Sequence, residues 1–179
     1  MKPPLWILAA AFLIAGPVYA QQHQPYAGQQ SRSIKALSDE DVKQHLAGGG
    51  MGYAKAAELN RYPGPMHVLD LAEKLRLTAE QRARTAALME AHKAEARALG
   101  RKFVEAEQAL DQLFTSGDVS QSELARRVAA AAAAQGEYRL SHLETHRRMR
   151  AMLTAEQVAQ YDRLRGYGAA SPHGAHKQH

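Results

Sequence analysis

The chain of 179 residues contains no cysteine, which excludes disulfides and thiolate metal sites and leaves histidine, methionine and carboxylates as possible metal ligands. Its 23 basic and 18 acidic residues give a formal charge of +5, but the basic residues are interspersed with acidic ones and form no concentrated patch of the kind that binds nucleic acid. An aromatic content of only 6% favours a single all-α domain with a modest core.

Residues 1–20 have the layout of a secretory signal peptide. Lys2 precedes an apolar run over residues 5–15, and small residues lead to Ala20 before a polar Gln-rich stretch. The apolar run is too short to span a bilayer comfortably. We therefore predict cleavage after Ala20 and export, with an uncleaved membrane anchor as the alternative.

Residues 21–65 form a predicted N-terminal extension with short helices and Gly/Pro turns. After a polar start, Ser38 is a good N-cap for a short helix that the glycines at 48–50 would end. Residues 51–60 predict a second short helix before a Pro-rich turn. The glycine triplet does not predict a phosphate loop, because no strand precedes it and no Gly-Lys-Ser/Thr follows it.

Residues 66–166 form the predicted main domain, a long antiparallel helical hairpin. After a short helix over residues 66–75, apolar and uncharged positions recur every three or four residues over 78–114 and again over 124–152, with a break at 115–118. Two long helices joined by a tight turn fold back on each other. Because both helices rise equally from the turn, a residue of the first helix lies opposite a residue of the second when their two numbers sum to about 235.

The pentapeptide LTAEQ occurs twice, at residues 77–81 and 153–157. In each copy the threonine is a good N-cap, and the glutamine three residues later has the spacing of a capping box. The repeat therefore indicates two helix starts built by the same chemistry, the second opening a short helix that Gly166 ends.

Polar side chains from both long helices are predicted to share one layer inside the hairpin. His142 and His146 are four residues apart on one helix face, and the hairpin register brings His92 and Glu95 to the same level, with Met149 one turn further. Imidazoles and a carboxylate suit a divalent transition metal such as zinc, nickel, cobalt or copper. A buried hydrogen-bonded layer, with Glu95 accepting from a histidine, is the open alternative.

Three other groups of residues receive a structural interpretation. The methionines at 89, 149 and 152 could indicate copper(I), but methionine at helical spacing is typical of core filling. Residues 167–179 predict a disordered tail whose His173, His176 and His179 could buffer metal loosely. Leu140 and Leu143 lie off the main stripe and could pack the short helices or a second subunit.

The two LTAEQ motifs, bracketing a long hairpin in an exported, cysteine-free helical chain, resemble the LTxxQ proteins over about residues 66–166. These include Spy/CpxP-like periplasmic chaperones, zinc-resistance-associated proteins and periplasmic heavy-metal sensors. The resemblance implies a hooked helical hairpin that dimerises in the periplasm and has no catalytic activity. It also implies that His142, His146 and Met149 stand for second-helix metal ligands, and His92 with Glu95 for those of the first helix. Sensor members are often membrane-anchored, whereas this leader looks cleavable.

Two functions compete at this stage, and a purely structural envelope protein is the third alternative. The first is a metal-binding protein for heavy-metal sensing or resistance, with no organic cofactor. The second is an ATP-independent holdase for envelope stress, in which positive charge beside apolar surface attracts unfolded clients. The arginines that would supply this charge are Arg97, Arg101, Arg126, Arg127, Arg139, Arg147, Arg148 and Arg150. A homodimer and a membrane-bound signalling partner are the other expected partners, and a nucleic acid is not.

Enzymatic activity is not expected from this sequence. Ser141 and His142 do not form a dyad, because adjacent residues on a helix point about 100° apart.

Overall fold

The computed structural model describes residues 25–167, so the predicted signal peptide and the three histidines of the tail lie outside the described residues. The chain divides into two compact units, Met1–Gln30 and Ser31–His179. In the first, the described residues form a turn in which the Gln29 backbone N–H donates to the Tyr26 carbonyl at 3.0 Å. The second unit contains all of the described helices.

The architecture is all-helical over the described residues, as predicted. Six helices follow one another: α1 (Asp39–Leu46), α2 (Lys55–Glu58), α3 (Pro65–Asp70), α4 (Ala79–Thr115), α5 (Gln121–Ala151) and α6 (Ala155–Arg165). Helices α4 and α5 form the long hairpin, α1 packs on α4, α2 packs on α5, and α3 contacts both. No helix among the described residues combines the length and apolar character needed to cross a bilayer.

The hairpin has the predicted register. Nε2 of His92 on α4 lies 3.0 Å from Nδ1 of His142 on α5, so the two residue numbers sum to 234. The inner face of α5 differs in detail from the predicted stripe. Ala134 is buried while Gln135 turns outward and donates to the Tyr53 hydroxyl at 3.4 Å, because a small alanine permits closer helix approach than a glutamine does.

The two LTAEQ motifs meet at the open end of the hairpin. Thr78 and Thr154 each cap their own helix, and Gln81 and Gln157 complete both capping boxes. The two glutamine amides also bond reciprocally: Nε2 of Gln81 donates to Oε1 of Gln157 at 2.9 Å, and Nε2 of Gln157 donates to Oε1 of Gln81 at 3.0 Å. The repeated motif therefore joins two helix starts to each other.

The main apolar core lies beside this paired motif. Met149 and Val158 are fully buried there, together with Tyr161. The full cluster consists of Val68, Ala72, Leu75, Leu77, Leu88, Met149, Leu153, Val158 and Tyr161. Short helices α3 and α6 thus close the open end of a hairpin that is too thin to bury a core by itself.

Residues 31–65, here called the N-terminal segment, belong to the same compact unit as the hairpin. Near the hairpin turn, the Lys35 backbone N–H donates to Asp111 Oδ1 at 3.0 Å. Midway along, a Cβ on Gly100 would lie 2.0 Å from the carbonyl oxygen of His45, so only glycine permits this approach of α1 to α4. At the open end, Nε of Arg61 contacts Asp162 Oδ2 at 2.8 Å. The segment therefore runs along the length of the hairpin.

Candidate functional site

A cavity of about 600 Å³ lies between the N-terminal segment and the hairpin. The N-terminal segment contributes its glycine-rich loop, at residues 48–52, and Glu58. The hairpin contributes side chains that the sequence analysis placed in one layer, namely His92, His142 and His146. The three predicted imidazole ligands therefore line a single space.

His92 and His142 form a direct pair in the wall of this cavity. Their facing nitrogens are 3.0 Å apart, and the two rings meet edge to face with centroids 4.6 Å apart. His142 is only 5% exposed, whereas His92 is half-buried. Buried polar groups require hydrogen-bond partners, and each of these imidazoles provides one for the other.

The hydrogen bonds around the pair fix which nitrogens carry protons. The Thr145 hydroxyl donates its only hydrogen to the Ser141 carbonyl at 2.8 Å, so it must accept from Nδ1–H of His92 at 3.0 Å. A neutral imidazole has one N–H, and Nε2 of His92 therefore accepts from Nδ1–H of His142. The remaining Nε2 of His142 keeps a lone pair and is buried without a hydrogen-bond partner among the described residues.

Both imidazoles of the pair are neutral at pH 7. Burial, followed by the neighbouring His92 and His146, lowers the pKa of His142 to about 4. Burial also lowers the pKa of His92, although Glu95 opposes the effect. Metal ligation requires neutral imidazole. At pH 7, therefore, no imidazolium of the pair has to be deprotonated before an ion binds.

His146 lies in a second polar group at the edge of the cavity. Its Nδ1 donates to the Tyr62 carbonyl at 2.7 Å and lies 3.6 Å from Glu58 Oε2. The Glu58 carboxylate also accepts from the Gly64 backbone N–H at 3.1 Å and from the Tyr161 hydroxyl. This group joins the N-terminal segment to α5 and α6.

Glu95 and Met149, the other two predicted ligands, do not line the cavity. Glu95 is exposed, because Ala96 takes the buried position on α4. Met149 is fully buried in the apolar core. In the predicted polar layer, Thr145 rather than Glu95 accepts from a histidine.

The described His, Asp and Glu side chains contain no group of three or more arranged to hold a metal ion. Two nitrogens that bind one ion at 2.0–2.1 Å in adjacent positions lie about 3 Å apart, and the facing nitrogens of His92 and His142 have that separation. The two nitrogens share a proton in this structure, so joint ligation of one ion requires His142 to carry its proton on Nε2 instead of Nδ1 and both lone pairs to turn towards the ion. A complete site also needs donors of another kind. The assignment of the five residues as metal ligands stays a prediction.

His45 is a buried residue that the sequence analysis missed. It is 3% exposed and packs edge-on against Phe103 and Tyr138, with centroids 4.9 and 5.7 Å away. Its Nδ1 has no hydrogen-bond partner among the described residues. Burial lowers the pKa of His45. Its position in the last turn of a short polar helix gave no sequence signal for burial.

A family model described as "LTXXQ motif family protein" matches residues 65–165, which is more than half of the chain. No curated protein and no solved structure matches the chain.

Proposed function

Because the chain belongs to the LTXXQ motif family, we propose that it is a non-enzymatic periplasmic protein of the Spy/CpxP type that binds a transition-metal ion in metal sensing or resistance. The metal site is the cavity lined by His92, His142 and His146. Family membership supports the periplasmic location and the absence of catalysis, and the cavity supports the choice of metal binding.

The observation that carries the proposal is the pair of neutral imidazoles in the cavity wall. Nε2 of His92 and Nδ1 of His142 are 3.0 Å apart, close to the spacing of two ligands of one ion. Both nitrogens can bind an ion once His142 moves its proton from Nδ1 to the unpartnered Nε2 and the two lone pairs turn towards the cavity. His146 lines the same cavity and is positioned by the Tyr62 carbonyl. Imidazole is a ligand for zinc, nickel and copper alike, so these three residues alone do not select among metals.

The test is calorimetric titration of untagged protein with Zn²⁺, Ni²⁺ and Cu²⁺. We expect tight binding that the double variant His142→Ala, His146→Ala weakens by at least about 10- to 100-fold, the loss that removal of even an outer partner of a metal ligand causes. The matched control replaces His173, His176 and His179 with alanine and should retain the tight site. Unchanged affinity and stoichiometry in the double variant would show that the cavity is not the metal site.

A holdase is the second candidate function. Leu140 is 63% exposed and Val128 is 49% exposed on α5, so this helix presents apolar side chains to solvent. Arg139 adjoins Leu140 and makes no ion pair with a described carboxylate. Arg126, Arg127 and Arg147, in contrast, bind glutamates on their own helix. Apolar surface beside free positive charge suits acidic, partly unfolded chains.

Chaperoning is tested by the aggregation of a denatured client at near-stoichiometric ratio. We expect suppression by the wild-type protein and weaker suppression by the double variant Val128→Ser, Leu140→Ser. Ala132→Ser, on the exposed side of the same helix, is the control. Absence of any effect at large excess would exclude this function.

A further inference from the structure

Three methionines line the same cavity as the three histidines. They are Met51 in the glycine-rich loop, Met66 in α3 and Met89 in α4. Of the other methionines after the first residue, Met149 is buried in the core and Met152 packs against it. The described methionines outside the core therefore all line one cavity.

Met51 occupies a backbone conformation that favours glycine. Its φ is 41°, and it stands between Gly50 and Gly52 in a loop that is otherwise glycine over residues 48–52. A residue with a side chain in this region of φ is strained. A methionine at the one non-glycine position of the loop, 43% exposed yet lining the cavity, is consistent with a role for its side chain.

Met66 and Met89 approach the cavity from two other elements. Met66 is 50% exposed although it directly follows the buried Pro65 at the start of α3. Met89 is half-buried and lies three residues before His92, hence on the same face of α4. Unbranched methionine side chains adapt readily to a bound group. These three come from different elements to a cavity in which the described His, Asp and Glu side chains alone form no metal-binding group.

We propose that the cavity selects copper(I), held by thioether sulfurs of Met51, Met66 and Met89 together with one imidazole nitrogen of the His92 and His142 pair. This inference rests on the proposed metal-binding function and specifies its metal. Soft thioether ligands select copper(I), while carboxylates and water suit harder ions. Since the chain has no cysteine, methionine is its only source of soft sulfur.

The experiment compares copper(I) and Zn²⁺ binding by the full chain, with His173, His176 and His179 replaced by alanine throughout to remove the tail imidazoles. Copper(I) is supplied anaerobically in competition with a chromogenic copper(I) chelator. The test variant is Met51→Leu, Met66→Leu, Met89→Leu, which conserves apolar character and approximate volume. The matched control is Met152→Leu, outside the cavity. X-ray absorption of the copper(I) complex reports sulfur ligands, which in this chain must be methionine.

We expect sulfur in the copper(I) coordination shell and a loss of copper(I) affinity of at least about 10- to 100-fold in the triple variant, while its Zn²⁺ affinity stays at the wild-type value. Met152→Leu should bind both metals as the wild type does. A shell without sulfur, or unchanged copper(I) affinity in the triple variant, would overturn copper(I) selection and leave histidine-based metal binding in place. Failure of the wild-type protein to bind either ion would overturn both proposals.

Discussion

At the scale of single residues, Thr145 decides which nitrogen of His92 carries the proton. Its hydroxyl hydrogen is committed to the Ser141 carbonyl, so its oxygen can only accept from Nδ1–H of His92. The proton on His142 is then fixed in turn, because the pair shares a single hydrogen bond. One threonine therefore leaves the Nε2 lone pair of His142 free inside the protein.

This arrangement predicts the tautomers of both imidazoles. In metal-free protein at pH 7, nitrogen NMR should show His92 and His142 protonated at Nδ1 and not at Nε2. Thr145→Val removes the acceptor and should destabilise the fold by about 1–3 kcal/mol, the cost of an unsatisfied buried group, as measured by urea unfolding. Thr145→Ser keeps the hydroxyl and should preserve the tautomers. A proton on Nε2 of His142 in the wild type would contradict the assignment.

At the scale of elements, the LTAEQ repeat explains why its last residue is glutamine. A capping box accepts Glu or Gln at this position, but only an amide can also donate to its counterpart. Each Oε1 accepts from its own cap N–H and from the opposite amide. Each Nε2 donates to the opposite amide and to a backbone carbonyl, that of Met152 or Leu75. All four hydrogen-bonding positions of both amides are used.

Gln157→Glu tests this account of the motif. The carboxylate retains the capping-box acceptor but cannot donate to Gln81 or to the Leu75 carbonyl, so we expect a loss of about 1–3 kcal/mol in the free energy of unfolding. Gln108→Glu, at an exposed position of α4, is the control for the change in charge and should change stability by less than about 0.5 kcal/mol. Equal effects of the two substitutions in urea unfolding at pH 7 would refute the reciprocal pairing.

Two helical glycines give a matched test of how α1 packs on α4. A Cβ on Gly100 would lie 2.0 Å from the His45 carbonyl oxygen, whereas a Cβ on Gly136 would have no atom within 4 Å. We expect Gly100→Ala to lower the free energy of unfolding by about 1–3 kcal/mol through overpacking. Gly136→Ala should raise it by about 0.5–1 kcal/mol because alanine favours the helix. Thermal unfolding of both variants measures the difference, and a neutral Gly100→Ala would show that α1 does not pack this closely.

The sequence predicted those elements whose signals are local or periodic. Both capping boxes, the two long helices and the level of His92 opposite His142 follow from spacing alone. Glu95 was placed on the inner face because a helical stripe gives the direction of the buried face only approximately until the packing partner is known. Here Gly48, in the loop after α1, packs against the small Ala96. The role of Glu58 could not be predicted, because it lies in a four-residue helix and its partners are either far away in the sequence or in a loop.

At the scale of the whole molecule, histidines mark several contacts between the N-terminal segment and the hairpin. His45 on the segment is buried against α4 and α5. His142 on the hairpin lies below Gly50, where an added Cβ would be 3.6 Å from its Nδ1. His146 donates to the Tyr62 carbonyl. Protonation of the two buried imidazoles, those of His45 and His142, therefore opposes packing of the N-terminal segment on the hairpin.

This distribution predicts acid destabilisation of the metal-free protein. The pKa of His142 is about 4 in the folded state against 6.5 for the free side chain. As the pH falls, the unfolded state therefore binds a proton at this imidazole before the folded state does. Stability is then complete above about pH 6.5 and declines as the pH falls towards 4. The lowered pKa values of His45 and His92 act in the same direction.

His142→Gln isolates the main contribution to this decline. In chelator-treated protein, the wild type should lose about 2 kcal/mol more of its free energy of unfolding between pH 7 and pH 5 than the variant does, since each unit of pKa difference corresponds to about 1.4 kcal/mol. Urea unfolding at both pH values measures the difference, and His45→Gln tests the smaller contribution of α1 in the same way. If the variant and the wild type lost stability equally, His142 would already be protonated in the folded state at pH 5. The neutral pair on which the proposed metal site depends would then not exist at that pH.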